Sequence, residues 1–277
     1  MRDILSRVTL VTRGSGPIIL AMPHVGTFVP AEIEQRLNDE GRKLRDTDWF
    51  VDQLYDGLLP DATVVRATFH RYVIDANRDP MQVSLYPGQN TTELVPRVNF
   101  DGAPIWNAGA EPDSRDIARR LEEFYRPYHR ELAQEIERVK RDHGVVLLYD
   151  CHSIRSVVPY LFEGTLPDFN IGTDNGKTCA REIESAAVAV CREASAYSSV
   201  LNGRFRGGFT TRHYGRPAED IHAIQMELAQ KNYLASESPP FVYDASKADR
   251  LRAPLRAVLE RLRAMALSMA RSAAVER

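Results

Sequence analysis

The chain has 277 residues, room for one large domain or two small ones, and its 43% hydrophobic and 27% charged content is ordinary for a globular protein. A formal net charge of -2 argues against a partner such as nucleic acid or an anionic membrane, and no run reaches the ~20 apolar residues of a membrane span. Cys151, Cys179 and Cys191 are odd in number and form no C-x-x-C pair, which argues against a disulfide framework and a cysteine zinc knot.

The opening Met-Arg-Asp-Ile-Leu-Ser-Arg lacks the apolar core of a signal peptide, so a reduced, cytoplasmic protein is expected. No repeat, low-complexity tract or long linker interrupts the chain, which reads as one domain over residues 1–277. Ile18–Met22 is an apolar run that predicts a buried strand with His24 at its end. Arg45–Leu58 reads as a helix, with Asp46 and Asp48 suited to its N-terminus. Strands are predicted at Ala62–Ala67 and Tyr72–Asp75. The next segment, Met81–Ile105, fits no period and reads as a long ordered loop, typical of an active-site wall.

Arg115–Asp142 carries Ile117, Leu121, Phe124, Tyr128, Leu132, Ile136 and Val139 at helical spacing, with Pro127 expected to kink or split it. A strand at Val145–Tyr149 leads to Asp150-Cys151-His152. Lys177–Glu193 predicts a helix, Ser199–Asn202 a strand, Gly203–Gly208 a loop, Ile221–Leu228 a strand and Ala248–Ala274 a helix. Strands alternating with helices predict an α/β fold with a mostly parallel or mixed sheet covered on both faces.

Ligands bind outside the carboxyl ends of strands in open α/β sheets. His24 and His152 both sit there, half of a plausible metal site. A hydrolytic zinc site adds a third ligand, commonly a carboxylate. Asp46, Asp48 and Asp52 all follow the first strand, and spacing does not choose among them. In an extended chain Asp150 shares a face with His152 and could orient a ligand histidine, whereas Cys151 points away and reads as an inert buried thiol. Arg71 and Asp75-Ala76-Asn77-Arg78 flank an apolar run, where guanidinium groups suit a substrate carboxylate. Glu227 shares a face with Gln225 inside an apolar strand; a carboxylate so placed suits a general base, while His222 lies on the other face. Ser153 has no second histidine in an obvious triad role, and no dinucleotide, P-loop or H-E-x-x-H motif is present.

Together, Pro23-His24-Val25-Gly26, Arg45-Asp46-Thr47-Asp48-Trp49, Arg71 to Arg78, Tyr125 to His129, Asp150 to Ser153, Asn202 to Phe209 and Gln225 to Leu228 resemble the N-formylglutamate amidohydrolase family, in family order from about residue 17 to residue 234. The resemblance implies a zinc-dependent hydrolase with the phosphorylase/hydrolase-like three-layer α/β fold, shared more distantly with zinc carboxypeptidases and the succinylglutamate desuccinylase/aspartoacylase group. Those distant relatives use an H-x-x-E pair, and no Glu stands three residues after His24. The resemblance makes Asp48 the carboxylate ligand of one Zn2+, beside His24 and His152, a ligand set that also takes other divalent metals such as manganese, iron or cobalt. It further implies that Asn77 and Arg78 clamp one carboxylate of a small dicarboxylate substrate, that Arg212 with Asn202 holds the other, that Arg71 polarises the scissile carbonyl, and that Glu227 acts as base. The expected reaction is hydrolysis of N-formyl-L-glutamate to formate and L-glutamate in histidine degradation. The alternatives are a zinc amidohydrolase of another N-acyl amino acid, or a non-catalytic ligand-binding relative.

Overall fold

A computed structural model describes residues 8–275. Strands β1 (Thr9–Thr12), β2 (Ile18–Met22), β3 (Thr63–Ala67), β4 (Val146–Ile154), β5 (Phe169–Gly172), β6 (Ser199–Leu201) and β7 (Ile221–Ala229) form one seven-stranded sheet in the order β1-β3-β2-β4-β7-β5-β6. Its centre, β3-β2-β4-β7, is parallel, while β1 and β5 run antiparallel to their neighbours β3 and β7. The sheet is therefore mixed. A short hairpin, β8 (Leu234–Ser236) with β9 (Val242–Tyr243), lies outside it.

Strand alternation divides the apolar residues between two faces. Ile18, Leu20, Met22, Leu147, Tyr149, Cys151, Ile224 and Met226 pack in one core with helices at Arg181–Glu193 and Ala245–Val275. Ile19, Ala21, Val65, Val146, Leu148, Ile221 and Ala223 pack in the other with the helix that spans Ser114–His143. On this second face the next residues of β4 and β7 are Asp150, His152, Gln225 and Glu227, so the strands turn polar where the long helix stops covering them.

The long helix is indeed divided before Pro127: α-helix Ser114–Arg120, a π turn at Leu121–Tyr125, then α-helix Arg126–His143 ending on Gly144 at φ 75°. The wider turn accommodates the hydrogen bond that proline cannot make.

Two predicted elements differ from expectation, one shortened and one absent. Only Val51–Tyr55 of the expected helix Arg45–Leu58 is helical, because Leu44 and Phe50 adopt left-handed backbone (φ 47° and 57°). Long-range bonds explain the difference: Asp48 N donates to the His24 carbonyl at 3.0 Å, and Asp46 Oδ2 accepts from Phe100 N at 2.9 Å. Tyr72–Asp75 is buried turn, not strand. Its amides donate locally or to a loop instead of to a ladder: Val73 N to His70 O at 2.9 Å, Asp75 N to Leu94 O at 2.7 Å. No described helix is long and apolar enough to cross a membrane.

Candidate active site

The carboxyl ends of β2 and β4 bring the two histidines together across 128 residues of sequence, with Nδ1 atoms 3.2 Å apart. Asp48 completes the group from the irregular segment tied to His24. Its Oδ2 lies 3.0 Å from His152 Nδ1 and 3.7 Å from His24 Nδ1, and all three side chains are buried. Asp48 Oδ2 also accepts from Ser153 N at 3.3 Å, and Oδ1 from Arg71 Nη2 at 2.9 Å.

The other two aspartates are placed elsewhere. Asp52 pairs with Arg66 at 2.8 Å on the surface, and Asp46 is buried against the Phe100 amide, its pKa pushed up to about 7 by burial. Among the described residues, His24, Asp48 and His152 form the one cluster of His, Cys, Asp and Glu whose ligand atoms can meet a common ion.

This donor set fits a metal. Ligands at ~2.0–2.1 Å around a tetrahedral ion are about 3.3 Å from each other, close to the three separations here. Each imidazole also has a carboxylate at its outer nitrogen. His24 Nε2 is 2.7 Å from Asp75 Oδ1, and His152 Nε2 is 3.1 Å from Asp150 Oδ1. A ring that gives its Nε2 hydrogen to a carboxylate keeps Nδ1 as a lone pair, the tautomer a metal requires. Two lone pairs and a carboxylate oxygen within 3.7 Å repel one another unless a cation lies between them. Burial lowers the His152 pKa, but Asp150 and Asp48 outweigh it and raise the pKa well above the usual imidazole range. Burial likewise opposes ionisation of Asp48, yet the Arg71 guanidinium and the two rings hold it well below the usual carboxylate range.

Glu227 is adjacent because β4 and β7 pair in parallel with His152 opposite Glu227. It is 7% exposed and takes a hydrogen bond from Gln225 Nε2 at 3.1 Å. Burial pushes its pKa up to about 8, and the Asp48 charge adds to the rise while His152 and Arg71 oppose it. A carboxyl group with its pKa raised to about 8, beside a trio that could hold a metal, is suited to carrying a proton in either direction.

Asp75–Arg78 is held at nearly every polar atom. Asn77 N donates to Asp75 Oδ1 (2.8 Å), Asn77 Oδ1 accepts from Thr210 N (2.8 Å), and the Ala76 and Arg78 carbonyls meet His129 Nε2 and Tyr125 OH at 2.8 Å each. Gly208 permits this approach, since a Cβ there would lie 2.3 Å from Asn77 Nδ2. Gly208 N also donates to Gln225 Oε1 at 2.7 Å, tying the glycine-rich loop to the residue that holds Glu227.

These groups surround a partly open cavity lined by His24, His152 and Glu227, with Arg71, Asn77 and Arg78 on its walls. Both loops expected to wall the site do so, through Tyr86, Asn90 and Thr92 of one and Arg204 and Phe205 of the other.

Arg212 and Asn202, expected at the second substrate carboxylate, are not among the residues that line it. Arg212 donates to the Gly207 and Leu85 carbonyls (2.9 and 3.2 Å) and lies 3.5 Å from Asp174. Asn202, left-handed at φ 51°, spends its amide on Thr173 N (2.9 Å) and Thr173 Oγ1 (2.9 Å) as a turn residue. Arg204 stands on the cavity wall instead. An arginine flanked by glycine and phenylalanine in a loop already suspected of walling the site was the available signal.

Ser153 Oγ meets Tyr233 OH and Gln230 Nε2, with no histidine against it, and Cys151 faces the opposite core with its thiol pKa raised by burial. Cys151→Ala is expected to keep full turnover and to lose about 1–2 kcal/mol of stability to the small void, checked by steady-state kinetics beside thermal unfolding.

Comparison with known proteins agrees with this architecture. Residues 16–234 match the family model for N-formylglutamate amidohydrolase. The chain is 44% identical over 259 residues to an N-formylglutamate deformylase of Pseudomonas aeruginosa, covering 93% of this chain and 97% of that one. It is 43% identical to an N-formylglutamate deformylase of Pseudomonas putida, with 93% and 96% covered. The crystal structure of N-formylglutamate amidohydrolase from Ralstonia eutropha JMP134 superposes with a TM-score of 0.75 at 25% identity, covering 96% and 98%. With the family model matched over residues 16–234 and a deformylase relative 44% identical over 93% of the chain, the chain belongs to the N-formylglutamate amidohydrolase family.

Proposed function

We propose that this protein hydrolyses N-formyl-L-glutamate to formate and L-glutamate, with Zn2+ held by His24, Asp48 and His152. The observation that carries the reading is the meeting of His24 Nδ1, His152 Nδ1 and Asp48 Oδ2 within 3.7 Å beside a buried Glu227 in an arginine-lined cavity. The family and its 44% identical deformylase relative supply the substrate.

When bound, the metal would supply Lewis acidity, easing ionisation of water and polarising the formyl oxygen. Glu227 accepts the proton of the attacking water at its carboxylate and passes it to the departing amine nitrogen of glutamate, which leaves as the C–N bond breaks. Its raised pKa suits both halves of that transfer. Arg71 lines the cavity with Nη2 on Asp48 and Nε without a hydrogen-bond partner, so its charge faces the region where the formyl oxygen becomes negative. Asn77 and Arg78 take the substrate α-carboxylate. Arg78 is presented for this by Thr92, whose carbonyl and hydroxyl accept from Nε and Nη2 at 3.0 and 2.8 Å. Carboxylate, amide and attacking water are thereby held in one geometry before reaction.

The test is a formate-release assay with elemental analysis of the purified protein. One equivalent of zinc per chain and turnover of N-formyl-L-glutamate well above that of N-acetyl-L-glutamate are expected. Equal or better turnover of the acetyl compound would remove the deformylase assignment, and a metal-free yet active protein would remove the zinc.

A further inference from the structure

Three arginines line the cavity, and their charges are balanced unequally. Arg71 is matched by Asp48 at 2.9 Å, and Arg78 by Asp75 at 3.7 Å. Among the described residues Arg204 has no carboxylate within 4.0 Å; its bonds go to the backbone, from Nε to Leu161 O and from Nη2 to Asn90 O, each 2.8 Å. Its guanidinium also lies 5.3 Å from the ring centres of Tyr86 and of Phe205.

Two carbonyls and two aromatic rings therefore hold a half-buried cation in one place and leave Nη1 for a ligand. Burial is the larger cause of a lowered Arg204 pKa, and the nearby Arg78 charge adds to it. An unbalanced cation in a cavity wall is costly by itself and favourable once an anion arrives. Arg206, from the same loop, is not on that wall.

We infer that Arg204 binds the side-chain carboxylate of the substrate and sets the preference of this site for N-acyl dicarboxylic amino acids over neutral ones. The inference rests on the reading that the cavity hydrolyses an N-formyl amino acid whose α-carboxylate meets Asn77 and Arg78. Asn77 Nδ2 is 3.1 Å from His152 Nε2, so that pair sits at the metal end, where the carbon bearing the amide nitrogen must be. Arg204 is anchored instead by the carbonyls of Asn90 and Leu161, on different segments of the same cavity wall.

The experiment compares N-formyl-L-glutamate with N-formyl-L-glutamine in the wild type, Arg204→Met and Arg204→Lys. In Arg204→Met, kcat/KM for the glutamate compound should fall about 100-fold, chiefly through KM, while the glutamine compound is unaffected. Arg204→Lys should recover part of the preference. Calorimetry with glutarate and butyrate adds a measurement free of turnover: the wild type should favour glutarate, and Arg204→Met should bind the two alike. A parallel loss on both formyl substrates, or undiminished glutarate preference in Arg204→Met, overturns the inference. If the wild type cleaves neither formyl compound, the proposed reaction fails, and the glutarate measurement still decides what Arg204 binds.

Discussion

Glu227→Gln should lower kcat by about 10³-fold while metal content and KM stay near wild type, because Gln keeps the shape and the bond from Gln225 but carries no transferable proton. The pH profile gives a second readout. A base works only when deprotonated, and burial lifts Glu227 to about 8, so kcat/KM should rise with pH and level off. A cation held by the trio would lower this pKa, so the acid limb should fall at or below about 8. The residual activity of Glu227→Gln should lose that limb. Acid also protonates the imidazoles and releases metal, so metal content is measured at each pH; a limb that tracks metal loss alone, or a fully active Gln variant, would remove Glu227 from the mechanism.

The second large effect is expected from the trio itself. Chelation, or His24→Ala, should lower activity by about 10³-fold or more, and zinc should restore the chelated wild type but not the variant. Loss should be visible without an assay. A ligand that binds only the folded state stabilises it, so the metal-free protein should unfold at a lower temperature than the reloaded one. Asp75→Asn gives a graded version: its carboxylate touches His24 Nε2 at 2.7 Å, and weakening such an outer partner typically costs about 10–100-fold in metal affinity. Full activity after exhaustive metal removal would defeat the zinc assignment.

Much of this site was legible because the strands that carry it are apolar and end abruptly. Ile18–Met22 and the run before Asp150 announce buried strands by composition, and the residues at their ends inherit a location from the rules of α/β sheets. Glu227 was legible for the opposite reason, a charge in a place where charge is costly. Asp48 could not be separated from Asp46 and Asp52 by spacing, since what selects it is the bond from its own amide to the His24 carbonyl and contacts with residues 104 and 105 positions away. The same long-range bonding abolished the helix expected there. Small strands escaped notice: β1 has partly exposed residues, and β5 is only four residues long. Arg212 and Asn202 stand beside the right loop, but their hydrogen bonds go to backbone and turns, which residue type and spacing do not reveal.

The nine-residue match between β4 and β7 ties the chemistry to the innermost part of the architecture. A slip of a single position would set Met226 or Leu228 where the carboxylate belongs, so insertions in either strand abolish function at once. The loops that bring Tyr86, Asn90, Arg204 and Phe205 to the cavity lie outside that alignment. Descendants of such a scaffold can change diet by editing their rims while inheriting an unaltered reaction centre.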